Sequence, residues 1–597
     1  MGGGYDESKS TGRRLSALSP LRRRHAVGST TTSLWTTLFL VAMLLFALVT
    51  FHIHLILGEE HEAGVELSDL VYTKTVAKVQ KLEEQGMNAI RHVPQDIKRM
   101  EDYWLHRPSS SGGYGGGNGD GSSSNTKGIS RSDRSNRRPK RVVSEEEIQS
   151  KMVPHTLTCP HAAKMTFWEK PRRHDLEWVS PFEKVGPSVK YVTFEPDPGG
   201  WNNIRMQFEI ILVFALATGR TFVLPPDQPM YLLNKGKGKE NHHGFDDYFP
   251  FHEIGKRLPI ITMDEFMKRE GVTGHLTLND STTIVYPPGN KTIFNGAKKE
   301  DRNSMWEYLR KVAACPPWRP MRQYLVMPAA PGVNLCNDTN VTLGEQEECK
   351  ARREISAATR EPRFYDEYWQ QQQVVHFISK PGLGYRLLQH FYTFLHFDDI
   401  HVDRLVKRFV RDYVHYMDII FCKAGYIVNK LEEEAATLPV PGFSTFHTRR
   451  GELQYKEVKI PSKQILANVG HHIPKNQLVY IATDERNKSF FDDFKTRLPR
   501  LRFMDDYFKE AGLDKINPNF LGMIDQVVAA RGDNFIGTWF STFTGYITRM
   551  RGYYGKHDHT VWYGDKKHMN RQQIHEWPKF PFYMREWNVS WTNIEEN

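Results

Sequence analysis

The chain has 597 residues and a formal net charge of +10, long enough for two or three domains and a sizeable core. Residues 1–33 carry six Lys/Arg against two acids, and residues 109–142 carry seven against two. Nine of the ten net charges therefore lie in two tails, and the near-neutral remainder excludes a basic nucleic-acid-binding face.

Leu34 to Leu57 is apolar apart from His52 and His54 near one end. As a helix these residues span about 36 Å, enough for a bilayer with some tilt. Arg13, Arg14, Arg22, Arg23 and Arg24 precede the run, while Glu59, Glu60 and Glu62 follow it. The positive-inside bias predicts a single-pass type II protein with residues 1–33 cytoplasmic and everything after residue 57 lumenal, anchored in the Golgi membrane. Six N-x-[ST] sequons, at Asn279, Asn290, Asn337, Asn340, Asn487 and Asn588, all fall on the lumenal side, as glycosylation requires. All five cysteines (Cys159, Cys315, Cys336, Cys349, Cys422) do too, in a compartment where disulfides persist. Cys336 and Cys349 are close enough in sequence to close a short loop. No C-x-x-C or Cys/His ligand cluster is present, so no metal site is expected.

Residues 58–108 form the expected stem, with apolar residues recurring at three and four from Leu67 to Trp104, interrupted at Gly86 and Pro94. Two roles are open for it: a coiled coil that pairs two copies, or an amphipathic helix lying on the lumenal domain. Residues 109–142 read as a flexible Gly/Ser linker that ends in Arg137-Arg138-Pro139-Lys140-Arg141. That run is either a solvated basic linker or a proprotein-convertase site that releases a secreted form.

The α/β alternation begins at Lys190. Tyr191–Phe194 reads as a strand, Gly199-Gly200 as a turn, Asn202–Ala217 as an apolar helix and Thr221–Leu224 as the next strand. One such βαβ unit puts its turn at the carboxyl end of the sheet, where open α/β sheets bind ligands. Asn202, Asn203 and Arg205 are candidates there. Residues 230–440 are less legible. Lys235, Lys237 and Lys239 suggest a surface loop, His242-His243 an exposed pair, and Asp403–Lys430 one or two helices.

From Gly442 the pattern sharpens: strands at Phe443–Thr448, Leu478–Ala482, Leu501–Met504 and near Phe535, with helices at Lys463–Val469, about Asn487–Arg497, Phe520–Ala530 and from Ser541. Alternation of this kind implies a parallel sheet covered on both faces. Arg449 and Arg450 close the first of these strands, and guanidinium forks there suit a phosphate. Asp484 ends the second strand and Asp525 interrupts an apolar helix. Ser541 stands where an N-cap is expected, at the positive end of a helix dipole.

GGWNNIR at 199–205, HTRRGEL at 447–453, ATDE at 482–485, IDQ at 524–526 and IGTWFSTFTGYITRMRGY at 536–553 together resemble the GDP-fucose protein O-fucosyltransferase superfamily. The resemblance implies a GT-B fold, two Rossmann-like domains facing a cleft: residues 143–440 on the acceptor side and 441–597 on the GDP-sugar side. It implies inverting transfer of fucose from GDP-fucose to a protein Ser/Thr hydroxyl, without metal or other cofactor; the chain has no D-x-D. Its partners would be GDP-fucose and a glycoprotein or glycan acceptor. Arg449 resembles the catalytic arginine on the donor's β-phosphate, with Ser541, Thr542 and Phe543 on the diphosphate and Asp484 on guanine. His447, Arg450 and Asp525 support the pocket, and Asn202, Asn203 and Arg205 match the first-domain motif. Family members acting on thrombospondin-type repeats place a glutamate base near the position of Gly199. Here Glu195, Asp197 or the leaving phosphate would take the proton. A glycan acceptor, a rhamnosyl donor and a non-catalytic lectin-like protein are the alternatives.

Overall fold

Trp201–Thr218 shows why the first half folds as it does. In this computed structural model every residue of that helix except Asn203 is buried, and a helix buried on all sides has to lie inside a layered domain. It is α1, and it crosses between the parallel strands β1 (Tyr191–Phe194) and β2 (Thr221–Leu224), as the sequence pattern predicts. With β3 (Ile260–Thr262) and a later strand, Val374–Phe377, these form a four-stranded parallel sheet. Residues 145–153, 155–233, 242–276, 286, 299–357, 360–380, 382–451, 455–565 and 583–596 are described here, all within one compact unit, Ser130–Asn597. The expected membrane span at 34–57, the stem, the basic linker, and the sequons at Asn279 and Asn290 lie outside the described residues. Among the described residues no helix is long and apolar enough to cross a membrane.

The poorly legible stretch holds a second, smaller parallel sheet. Its strands are β4 (Gln323–Met327), β5 (Glu361–Phe364) and β7 (Leu395–Phe397), with β4 central. β6 (Val374–Phe377) falls between them in sequence yet pairs with β1, so the two sheets interleave along the chain. That interleaving hides both from a reading that expects neighbours in sequence to be neighbours in space. Two helices follow, α2 (Ile400–Tyr413) and α3 (Asp418–Ala436). The expected exposed histidine pair is instead a two-residue strand against Gln228–Pro229, and His243 is buried, with Nε2 3.1 Å from the Asn519 amide nitrogen.

The second half is a five-stranded parallel sheet of β8 (Phe443–Thr448), β9 (Leu478–Thr483), β10 (Leu501–Arg502), β11 (Phe535–Thr538) and β12 (Thr560–Tyr563), in the order β10-β9-β8-β11-β12. All four pairings are parallel. Helices α4 (Ser462–Val469), α5 (Leu521–Arg531) and α6 (Thr542–Tyr553) connect them. The helix expected over 487–497 is a tight 3-10 turn at Lys488–Phe491 followed by one α turn, Asp492–Lys495. Asn487 caps it by accepting from Ser489 N–H, and Phe491, Phe494 and Leu498 are drawn into the sheet's core. Gly537 is required where β11 meets α6: a Cβ there would stand 2.0 Å from Thr544 Cγ2.

Two disulfides form. Cys336–Cys349 closes the short loop, and Cys159–Cys422 spans 263 residues, leaving Cys315 free. In the chain-entropy account the longer closed loop stabilises more, with ~3 kcal/mol for a 15-residue loop and ~4.7 for 100 residues. The double substitution Cys159→Ser/Cys422→Ser should therefore lower the denaturant midpoint more than Cys336→Ser/Cys349→Ser does. Guanidinium titration of the two variants measures the difference.

Candidate active site

Strand order decides where a ligand can sit. In β10-β9-β8-β11-β12 the connections reverse direction between β8 and β11, and open α/β sheets bind ligands at such a switch, outside the carboxyl ends of the strands. The four-stranded sheet, ordered β3-β2-β1-β6, has its own reversal between β1 and β6. Loops from both reversals line one cavity of about 1040 Å³. After β1 come Gly199–Asn203, and after β6 comes Arg386. His447 and Arg449 follow from β8, Asp484–Arg486 from β9, Phe503–Asp505 from β10, and Phe540–Phe543 from β11.

Arg449 and the start of α6 therefore stand on either side of one switch point and face the same space. The turn carrying Arg449 is held from both sides. Its backbone N–H donates to Thr538 Oγ1 on β11 (2.9 Å), and Arg450 and Gly451 N–H donate to the Asp484 carboxylate (2.6 and 3.0 Å). The guanidinium, about one-quarter exposed, lies 2.5 Å from Asp484 Oδ2. Asp484 thus lines the cavity, but its oxygens are engaged by the turn and by Arg449.

Ser541 is the N-cap residue of α6 by backbone geometry, yet its side chain accepts no hydrogen bond from the first turn. The leading N–H groups of a helix have no intrahelical acceptor, and an uncapped start directs them and the positive dipole end toward an anion. Phe540, just before it, adopts φ +60°. A bulky residue in that region stores about 1–3 kcal/mol of strain. Stacking on Tyr455 at 4.7 Å and burial hold it, which fixes the angle at which Ser541–Phe543 enter the cavity.

His447 Nδ1 lies 2.6 Å from Thr544 Oγ1 and its ring stacks on Phe543 at 4.4 Å. Burial, reinforced by the Arg449 charge, pushes its pKa down to about 3, so the imidazole is neutral and acts as a wall rather than an acid. Asp525 accepts from Tyr480 OH at 2.5 Å. Gln526, its neighbour, ties the two halves: its amide nitrogen donates to Asn202 Oδ1 (3.1 Å) and Phe543 O (3.2 Å), and its carbonyl accepts from Tyr416 OH (2.8 Å).

Of the residues singled out in the sequence, Asn202, Asn203, His447, Arg449, Asp484, Asp525, Ser541, Thr542 and Phe543 line the cavity. Arg205, Arg450, Glu195 and Asp197 do not. Arg205 is wholly buried and pairs with Glu209, 3.5 Å from Asn202 Oδ1, so it reaches the cavity only through Asn202. Arg450 stacks over Phe490 at 4.2 Å and donates to Ile460 O. Glu195 is bonded to Arg310 (2.7 Å) beneath β1; burial would raise its pKa, but His376 and Arg310 outweigh that and hold it low. Asp197 is clamped bidentately by Arg386 at 2.6 and 2.7 Å. A Cβ at Gly199 would meet the side-chain ends of Arg386, Asn203 and Asp197 at 2.5–2.7 Å, so a larger residue there requires those side chains to move. Arg386, Tyr455, Asp505, Phe540 and Tyr583 also line the cavity and were not read from the sequence. Only Asp505 carries a usable signal, since it follows a strand end as Asp484 does.

The sequence signature described as GDP-fucose protein O-fucosyltransferase matches residues 191–554. A search of curated proteins returns no match. Among solved structures, POFUT1 in complex with GDP is similar at 16% identity, covering 64% of this chain and 100% of that one (TM-score 0.30). The NodZ α-1,6-fucosyltransferase soaked with GDP-fucose aligns at 15% identity over 60% of this chain and 92% of that one (TM-score 0.29). A point mutant of Arabidopsis thaliana FUT1 in complex with GDP aligns at 9% identity over 68% of this chain and 76% of that one (TM-score 0.30).

Proposed function

The chain belongs to the GDP-fucose protein O-fucosyltransferase family, and from that premise we propose that this GDP-fucose-dependent fucosyltransferase delivers fucose, with inversion and without metal, to a protein Ser or Thr hydroxyl. The observation that carries the reading is the convergence of Arg449 and the uncapped start of α6 on one cavity across the β8/β11 switch point. In this reading the acceptor hydroxyl attacks the anomeric carbon as the bond to the β-phosphate breaks. Negative charge grows on the departing GDP, and Arg449 with the N–H groups at Ser541–Phe543 meets it there. Preorganised donors aimed at developing charge are among the largest catalytic contributions. Neither carboxylate considered for the base lines the cavity, and each is bound to an arginine, so the proton passes to the leaving phosphate.

Residues 143–440 then form the acceptor side and 441–597 the donor side of a GT-B enzyme. Anchorage in the Golgi membrane through 34–57, with the catalytic unit lumenal, agrees with the sequons: Asn337, Asn340, Asn487 and Asn588 are all exposed. The full chain, purified in detergent and incubated with GDP-fucose and other sugar nucleotides in EDTA, should release GDP from GDP-fucose selectively by slow hydrolysis. Preference for a different sugar nucleotide, or dependence on added metal, would overturn the assignment.

A further inference from the structure

On the side of the first half held by the long disulfide, His155, His252 and Glu253 bring one ligand atom each to within 4.8 Å of one another. Glu253 Oε1 lies 3.6 Å from His155 Nδ1 and 3.4 Å from His252 Nε2. Tetrahedral zinc with bonds of 2.0–2.1 Å sets its ligands about 3.3 Å apart, so two of the three edges are already close to that length. The other imidazole nitrogen of His155, Nε2, is 2.7 Å from Asp418 Oδ1. A carboxylate behind the ligating ring is the arrangement that fixes tautomer and orientation in histidine metal sites. The ring is further held by His415, stacked on it at 5.4 Å, and the backbone of His155 by Trp168, whose indole N–H donates to the His155 carbonyl.

From these contacts we propose a zinc site with His155, His252 and Glu253 as ligands, water in the fourth position and Asp418 as the orienting carboxylate. Two imidazoles with one carboxylate suit a borderline metal rather than calcium or magnesium. His252 has its side chain about two-thirds exposed, so it can swing inward to close the third edge. Lys256, 2.8 Å from the Glu253 carboxylate and one-third exposed, is the cation that zinc displaces. His155 faces Asp418 just as Cys159 is bonded to Cys422, four residues further along each segment, so the disulfide holds the segment of the orienting carboxylate against His155 while the metal ties His155 to His252 and Glu253. It lies apart from the catalytic cavity and is independent of the proposed reaction.

The test is zinc titration by calorimetry of the chelator-stripped full chain, with thermal melting alongside. One zinc per chain and a raised Tm are expected. His252→Ala, at an exposed position that leaves the fold intact, should bind at least about tenfold more weakly and lose the Tm gain, and Asp418→Asn should weaken binding by ~10–100-fold. His471→Ala, in an exposed histidine pair elsewhere, should change neither. Absence of stoichiometric zinc, or binding by His252→Ala equal to that of the unaltered chain, would show instead a plain ion cluster of His155 with Glu253 and Asp418 and would overturn the proposal.

Discussion

Arg449→Ala should lower the rate of fucose transfer by about 10²–10³ or more, or ~3–4 kcal/mol of barrier, the usual loss when a directed donor to developing charge is removed. The helix dipole at Ser541 contributes only about 0.3–1 kcal/mol, ~2 in favourable geometry, so it cannot replace the guanidinium. Folding should be unaffected, because Asp484 keeps its bonds from Arg450 and Gly451 N–H when the Arg449 side chain is gone. Arg449→Lys should recover little, since a point charge cannot make two parallel bonds to phosphate. Arg450→Ala separates the two roles: its side chain bonds Ile460 O and covers Phe490, so melting should fall while turnover largely survives. Turnover numbers for GDP-fucose with each variant, beside their melting curves, decide it. Near-normal transfer by Arg449→Ala would remove the arginine from the mechanism.

The second large effect concerns the buried charges that join the halves. Arg549 on α6 donates to Glu209 on α1 (2.8 and 2.9 Å) and to Glu586 in the returning C-terminal segment (2.8 Å), and Arg205 bonds Glu209 as well. All four residues are essentially inaccessible. Burial alone would raise the Glu586 pKa, but Arg549, His390 and Arg205 outweigh it and hold the pKa below the ordinary value. Arg549→Met should therefore destabilise the chain by about 3–5 kcal/mol, because it strands buried carboxylates rather than merely removing a contact. Against a typical total of ~5–15 kcal/mol that is severe. Adding Glu209→Gln should restore part of the loss, as expected for residues that act as one unit. A depressed Glu586 pKa contributes stability that is complete above the unfolded carboxylate value near ~4.3 and disappears as pH falls through the folded value. Urea titrations of the original chain at pH 7 and at about pH 3, below the unfolded carboxylate value, should show the drop, and Arg549→Met should flatten it.

The second half was legible because its pattern is local. Alternating apolar strands and helices from Phe443 to Tyr553 name their own elements, and the position of Arg449 and Asp484 directly after strands, with Ser541 at the start of the helix that follows the next, marks them as a ligand edge. The interleaved sheets between 230 and 440 were not legible. β6 pairs with β1, 183 residues away in register at Thr193 and His376, and nothing within either strand specifies its partner. Arg205 illustrates the same limit inside a motif. Its place beside Asn202 and Asn203 suggests a phosphate contact, yet it lies one turn further along the same face as Asn202, buried against Glu209 and Tyr546.

By itself the sequence determined the family, the parallel α/β class, and the residue types gathered at each strand end. These depend on periodicity and on short motifs whose chemistry is carried by neighbours in the chain. Only the tertiary structure decided which of those residues share a cavity, which carboxylates are neutralised by arginines, and that His155 meets His252 and Glu253. Such outcomes depend on contacts between distant segments, as in the pairs 183 and 340 residues apart at Thr193 with His376 and Glu209 with Arg549. There burial and charge pairing, not local pattern, set the position of a side chain.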